Sequence, residues 1–197
     1  MKNTKLNKII SLSMIFFTAT SLTACSGSYQ KAPEAVFSSK TVQKDFGEFS
    51  LLYPDDWNET KDLEIESAEY SENVFEANSA FNEENLCSSV QLNKTAETSK
   101  TRLKSVIKQE DVSQIVAQFQ QTYGTDVKLD SSSLYKIDGK QCLNYELSFV
   151  KNDVSYFVSQ TYFIQNGSVY ILTVTAVNGI DKENAFNIPL SLKFSND

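Results

Sequence analysis

The C-terminal half of the chain consists of strand-like runs separated by turn dipeptides. Residues 131–137, 140–150, 154–165 and 168–177 are rich in Val, Ile, Tyr, Phe, Thr and Ser, and Asp138-Gly139, Asn152-Asp153 and Asn166-Gly167 stand between them. Such dipeptides tolerate the positive φ angles of a tight hairpin turn, so the four runs predict an antiparallel meander. In the second run Leu143, Tyr145, Leu147 and Phe149 share one parity, while Cys142, Asn144, Glu146 and Ser148 share the other. That strand therefore has an apolar face and a more polar one. The last run is apolar on both parities, with Val169, Ile171 and Val177 on one and Tyr170, Leu172 and Val174 on the other. A strand of this kind is covered on both sides. Helical covers are at hand: Val112, Ile115, Val116, Phe119 and Tyr123 follow the i, i+3, i+4 spacing and end at Gly124. A second short helix is predicted over 182–191, which Pro189 must bend or end. Upstream, 46–53 and 86–92 read as strands. The pattern predicts an α+β fold, an antiparallel sheet flanked by helices, in a single domain over residues 41–197.

The first forty residues follow a different logic. Lys2, Lys5 and Lys8 stand in a segment without acids, and the apolar run over 9–20 is too short to cross about 30 Å of hydrocarbon. A basic start, a short apolar middle and small residues at the end read as a secretory signal peptide over residues 1–24. Its end, Leu22-Thr23-Ala24-Cys25, resembles the bacterial lipobox. The resemblance implies a diacylglyceryl group on the Cys25 thiol and cleavage just before it. One acyl chain anchors marginally, whereas two or three hold a protein stably at a membrane. Residues 25–40 are small, polar and aperiodic and predict a flexible tether with a span of roughly 25 Å. The expected location is the extracytoplasmic face of the cell membrane, attached through Cys25.

Composition narrows the function classes. Apolar residues make up 41% of the 197 positions and aromatics 12%, enough for a packed core. The formal charge is -7, and loss of residues 1–24 lowers it to about -10. An acidic balance argues against nucleic acid or an anionic surface as partner. The chain has no histidine, which excludes His-based triads, His metal sites and His pH switches.

A family resemblance rests on three stretches. Phe49-Ser50-Leu51-Leu52-Tyr53-Pro54-Asp55-Asp56-Trp57 resembles the opening strand of PsbP-like domains, where an apolar strand runs into Tyr-Pro-x-x-Trp. The long strands around Asn166-Gly167 are similar to that family's late pair. The closing Phe186, Ile188 and Leu190-Ser191-Leu192-Lys193-Phe194 resemble its final helix and ending. The resemblance covers most of 41–197 and implies an α/β/α sandwich. Its photosynthetic members support an oxygen-evolving complex by binding partners. No ion-binding or docking residue of theirs corresponds to a position here, so the resemblance carries no chemistry over.

Candidate chemistry is sparse. With Cys25 lipidated, Cys87 and Cys142 remain, and an exported chain meets conditions in which disulfides persist. A bond between them would close a loop of about 56 residues, and the sequence leaves open whether it forms. The acids Asp55-Asp56, Glu64, Glu66, Glu69, Glu83-Glu84 and Glu110-Asp111 lack a diagnostic spacing and read as solvated surface. No nucleophile elbow and no phosphate-cradling loop occurs. Tyr53 and Trp57 could line a groove, but aromatic residues beside a turn more often plug the end of a core. No catalytic residue, cofactor or metal ligand is therefore assigned. The expected function is a surface-tethered, non-catalytic binding or accessory module engaging another envelope protein. The alternatives are an envelope glycan or peptide hydrolase using a carboxylate pair, and a small-ligand or ion-binding lipoprotein.

Overall fold

A computed structural model describes residues 29–60, 71–83, 86–95, 116–117, 119–121, 126–177 and 181–195. In chain order the strands are β1 (Gln30–Lys31), β2 (Thr41–Asp45), β3 (Phe49–Pro54), β4 (Asn58–Glu59), β5 (Ser71–Asn78), β6 (Ser89–Thr95), β7 (Val127–Ile137), β8 (Lys140–Lys151), β9 (Val154–Gln165), β10 (Ser168–Val177) and β11 (Lys193–Phe194). A helix, α1 (Lys182–Leu190), precedes the last strand. One sheet has eight strands in the order β1-β7-β8-β9-β10-β6-β5-β4, and a second has three in the order β11-β3-β2. Neighbours are antiparallel except β1 with β7.

The predicted meander is the spine of the large sheet. Asp138 and Gly139 take φ of 47° and 82°, Asn152 and Asp153 52° and 62°, and Asn166 and Gly167 46° and 79°. Two successive left-handed residues make the turn whose twist matches antiparallel strands. Each turn therefore fixes the register of a hairpin, from Ile137↔Lys140, Lys151↔Val154 and Gln165↔Ser168 outward.

That register sorts the side chains onto two faces. The front face carries Phe157 and Phe163 of β9, Tyr170, Leu172, Val174 and Ala176 of β10, and Val90 and Leu92 of β6. Phe163 is fully buried at its centre, stacked on Tyr170 at 5.3 Å and meeting Phe49 and Phe194 edge-on at 5.0 and 5.4 Å. The cover of this face is Phe49, Leu51 and Tyr53 of β3, Trp57, and Ala185 and Ile188 of α1. The back face carries Leu143, Tyr145, Leu147 and Phe149 with Val158, Tyr162 and Val169, and Phe119 packs onto it.

Several expectations change here. The front cover is a three-stranded sheet plus one helix, where the pattern predicted helices alone. The helix expected over 112–123 lies mostly outside the described residues, although 116–117 and 119–121 are helical. α1 matches the predicted span, with Pro189 inside its last turn. The tether expected over 25–40 is, from Tyr29 onward, laid against the domain. Gln30 and Lys31 pair with Tyr135 and Lys136, Ala32 N–H donates to Lys136 O at 3.1 Å, and Val36 N–H donates to Asn187 Oδ1 at 2.9 Å. Ala32 and Phe37 pack on the front core. Ala32 and Phe37 on the front core, Tyr29 on the back core and the open edge of β7 hold this strap, and its polar, Pro-containing composition concealed these contacts.

Candidate functional site

A cavity of about 170 Å³ opens on the front face where the apolar core gives way to polar side chains. Strand parity builds its floor. Asn144 and Glu146 are two apart on β8, Ser159 and Thr161 are two apart on β9, and the register pairs Asn144 with Thr161 and Glu146 with Ser159. The four residues form a polar rectangle on one face of two adjacent strands. Tyr135 and Ile137 of β7 wall one side, and Phe186, Pro189 and Leu190 of α1 wall another. Pro33 of the strap completes the rim. Asn187 fastens strap to helix, accepting from Val36 N–H while its own Nδ2 donates to Glu183 O at 2.9 Å.

The hydrogen bonds of the floor leave defined groups for a ligand. Asn144 Nδ2 donates to Ser159 Oγ at 3.0 Å and to Thr161 Oγ1 at 2.9 Å. Both amide hydrogens are thereby used, and both hydroxyl oxygens act as acceptors. Each hydroxyl keeps its own proton to donate elsewhere. Ser131 Oγ donates to Glu146 Oε2 at 2.7 Å and leaves Oε1 as an acceptor. Glu146 takes part in none of the ion pairs seen among the described residues, which join Lys44 to Glu59, Lys128 to Asp130 and Lys193 to Asp138. Lys182 stands beside the cavity but lies over the rings of Phe157 at 4.8 Å and Phe186 at 5.9 Å. Against burial, hydrogen bonds with Lys128 and Ser148 hold the nearby Asp130 carboxyl below its usual range, with the charges of Lys128 and Lys182 adding less.

The residues singled out in the sequence lie elsewhere. Asp55, Asp56 and Glu83 are exposed, and Cys25, Glu64, Glu66, Glu69, Glu84, Glu110 and Asp111 lie outside the described residues. Among the described residues no cluster of three Cys, Asp or Glu side chains could hold a metal ion. A carboxylate more deeply buried than that of Glu146, Glu76, accepts from Thr60 Oγ1 at 3.0 Å and Asn78 Nδ2 at 2.9 Å. The register through Gln91, Thr173 and Gln160 puts it on the back face, so it does not converge with Glu146.

The two cysteines are free thiols, Cys142 buried and Cys87 half-buried. Three strand spacings separate β8 from β6, about 14 Å at the usual interval. Along the strands Cys142 stands level with Phe163, Tyr170 and Lys94, whereas Cys87 precedes Ser89 at the opposite end. A disulfide spans at most about 7 Å between Cα atoms, so the bridge left open by the sequence does not form in this fold. Burial pushes the Cys142 thiol up to about 12, against smaller opposing effects of a backbone hydrogen bond and Lys140. Burial, then the charge of Glu76, raises Cys87 as well.

The Tyr-Pro-x-x-Trp stretch is structural. Tyr53 and Trp57 are buried in the front core, and the Tyr53 hydroxyl donates to Glu59 Oε1 at 2.7 Å. Lys44 donates to Glu59 Oε2 at 2.6 Å, so one carboxylate links β2 and β3 of the small sheet to β4 of the large one. Hydrogen bonds from Lys44 and Tyr53 lower the Glu59 carboxyl, with burial opposing. Burial, then Glu59, raises the Tyr53 phenol.

No family model matches this chain, and no curated protein matches it. Solved structures do. Cyanobacterial PsbP (CyanoP) from Synechocystis sp. PCC 6803 aligns over 84% of this chain and 98% of its own, with a TM-score of 0.55 at 10% identity. A protein from Bacteroides thetaiotaomicron VPI-5482 aligns at 0.47 and 17% identity over 82% of this chain, which spans half of that protein's length. LpqN of Mycobacterium tuberculosis, described as involved in cell envelope biogenesis, aligns at 0.45 and 14% identity over 80% of this chain and 91% of its own. At such identities the likeness to CyanoP concerns the fold alone.

Proposed function

We propose that this PsbP-like domain is a non-catalytic binding module of the bacterial cell envelope, lipid-anchored at Cys25, that holds a small molecule in its front-face cavity. The observation that carries the reading is the cavity itself: apolar walls from three elements around a few convergent polar groups, the usual makeup of a ligand site. Its volume of about 170 Å³ suits a molecule the size of a few waters. A hydrolase would need a second carboxylate converging on Glu146. Among the described residues the buried Glu76 is on the far side of the sheet, and Asp130, next to Ser131, is engaged by Lys128 and Ser148. A protein-docking role would call for a contiguous apolar surface. Among the described residues the large exposed apolar side chains, Val36, Val42, Phe81 and Val150, lie respectively on the strap, on β2, in the loop after β5, and on β8.

Binding is tested by ligand-observed NMR of the lipidated protein in detergent against a set of small polar fragments. Leu190→Trp narrows the cavity from its rim and is expected to abolish the signals. Fragments that bind wild type and Leu190→Trp equally, or no binding fragment at all, would overturn the reading. The anchor is tested by cell fractionation: Cys25→Ala is expected to leave the membrane fraction, and its retention there through an acyl chain would refute the lipid assignment.

A further inference from the structure

We propose that the ligand of the front-face cavity is a small amine, bound as its cation with the ammonium against Glu146 and an uncharged acceptor oxygen against the hydroxyls of Ser159 and Thr161. This rests on the cavity being a ligand site and adds the chemical class of what it takes.

Charge decides first. The cavity lining holds one carboxylate, Glu146, and no lysine or arginine. An anionic ligand would meet an uncompensated like charge in a partly enclosed site, whereas a cation supplies the counter-charge the carboxylate lacks. Glu146 Oε2 is occupied by the Ser131 hydroxyl, which fixes the carboxylate plane and leaves Oε1 for a charge-assisted hydrogen bond. Lys182, the cation beside the cavity, lies over the ring of Phe157 at 4.8 Å. It also shows that the ring of Phe186 tolerates an ammonium, at 5.9 Å. Phe186 and Tyr135 thus offer two aromatic rings in the walls to the alkyl part of an ammonium ion.

Hydrogen-bond polarity decides the rest. Asn144 spends both amide hydrogens on Ser159 and Thr161, which leaves each of these buried hydroxyls a proton to donate on the floor of the cavity. The floor therefore presents an anionic acceptor at Glu146, with the Ser159 hydroxyl directly across from it and the Thr161 hydroxyl at the next position of the same face along β9. The complementary ligand carries a cationic donor and a neutral acceptor, an amino alcohol or an amino amide, a few bonds apart. A zwitterion fits poorly, because its carboxylate would find hydroxyls but no cation.

The test uses three probes of one length, 3-aminopropan-1-ol, propane-1,3-diol and 3-hydroxypropanoate, on the lipidated protein in detergent by ligand-observed NMR titration. The amine is expected to bind at least about tenfold tighter than the diol, and the acid more weakly than both. Glu146→Gln keeps the shape while replacing one carboxylate oxygen with an amide NH2, and is expected to reduce the amine-to-diol affinity ratio from about tenfold to about one, a ratio that a general loss of binding would not change. Equal binding of amine and diol, or a preference that survives Glu146→Gln, would overturn the ligand class and leave the cavity as a site. Failure of all three probes, or binding that Leu190→Trp does not reduce, would overturn the site and the class together.

Discussion

Asn144 is the residue on which the polarity of the cavity depends, and its removal has a size that can be worked out. Asn144→Ala takes away two side-chain hydrogen bonds, at 3.0 and 2.9 Å, each contributing about 1 kcal/mol net. The volume vacated joins the existing cavity, where polar neighbours can hold water, so little is added for an empty void. The expected loss is about 2 kcal/mol, which for a domain of this size lowers Tm by about 4–8 °C. Urea unfolding followed through the fluorescence of Trp57, the single tryptophan and part of the front core, gives the number directly. A change below about 0.5 kcal/mol would refute the claim that Asn144 pins β8 to β9 here. Asn144→Asp separates stability from polarity. A carboxylate only accepts, so Ser159 and Thr161 must turn their protons onto it and away from the cavity. That variant is expected to retain more stability than Asn144→Ala while losing the two hydroxyl donors and bringing a second negative charge beside Glu146. Unchanged binding of 3-hydroxypropanoate in Asn144→Asp would contradict this assignment of donors.

Three other outcomes follow from the packing and the buried acids. Phe163→Ala, at the centre of the front aromatic cluster, is expected to cost about 3–5 kcal/mol by urea titration, and a loss under 1 kcal/mol would mean the cluster is not the core. Stability is expected to hold up to about pH 9 and then fall. The unfolded Cys142 thiol releases its proton near its ordinary value of 9.0, while the folded one keeps it to about 12. Burial also raises the phenols of Tyr145 and Tyr162, which steepens the fall above pH 10. Urea midpoints that stay flat from pH 8 to 11, or fall as steeply in Cys142→Ala, would count against it. Thiol titration in denaturant without reductant should detect both Cys87 and Cys142, and a two-dalton mass gain on reduction would restore the disulfide.

The turn dipeptides and the alternation of the long runs made the β7–β10 meander legible, because both signals are local and both act on the same register. β2 was not legible. Thr-Val-Gln-Lys-Asp is polar and mostly exposed, and it is a strand only because β3 beside it, the central strand of the small sheet, offers it a hydrogen-bonding edge. β5 was hidden by its irregularity: the register shift between Asn73 and Phe75 breaks the alternation that would have marked it. The cavity was half visible. The polar parity of Asn144 and Glu146 stood out in the sequence, but nothing there announced that Ser159 and Thr161 would stand opposite them, since that follows from the turn at Asn152-Asp153 setting the β8–β9 register. Two polar i, i+2 pairs flanking a predicted two-residue turn at matching distances are the signal that could have found the site. The separation of Cys87 from Cys142 depends on strand order, which loop lengths do not reveal.

The docked strap would also shorten the leash of an anchored protein. With an acyl anchor on Cys25, four residues, 25–28, would join the lipid to the first residue that touches the domain, a reach of about 14 Å at most. The domain would then ride against the bilayer with one edge held nearest to it, the hairpin tip at Asp138-Gly139 beside the point where the strap pairs with β7. Lys31, Lys136, Lys140 and Lys193 gather around that tip in a protein that is acidic as a whole. An anchored copy would search in two dimensions, presenting its cavity to solutes within a layer one domain deep above the headgroups.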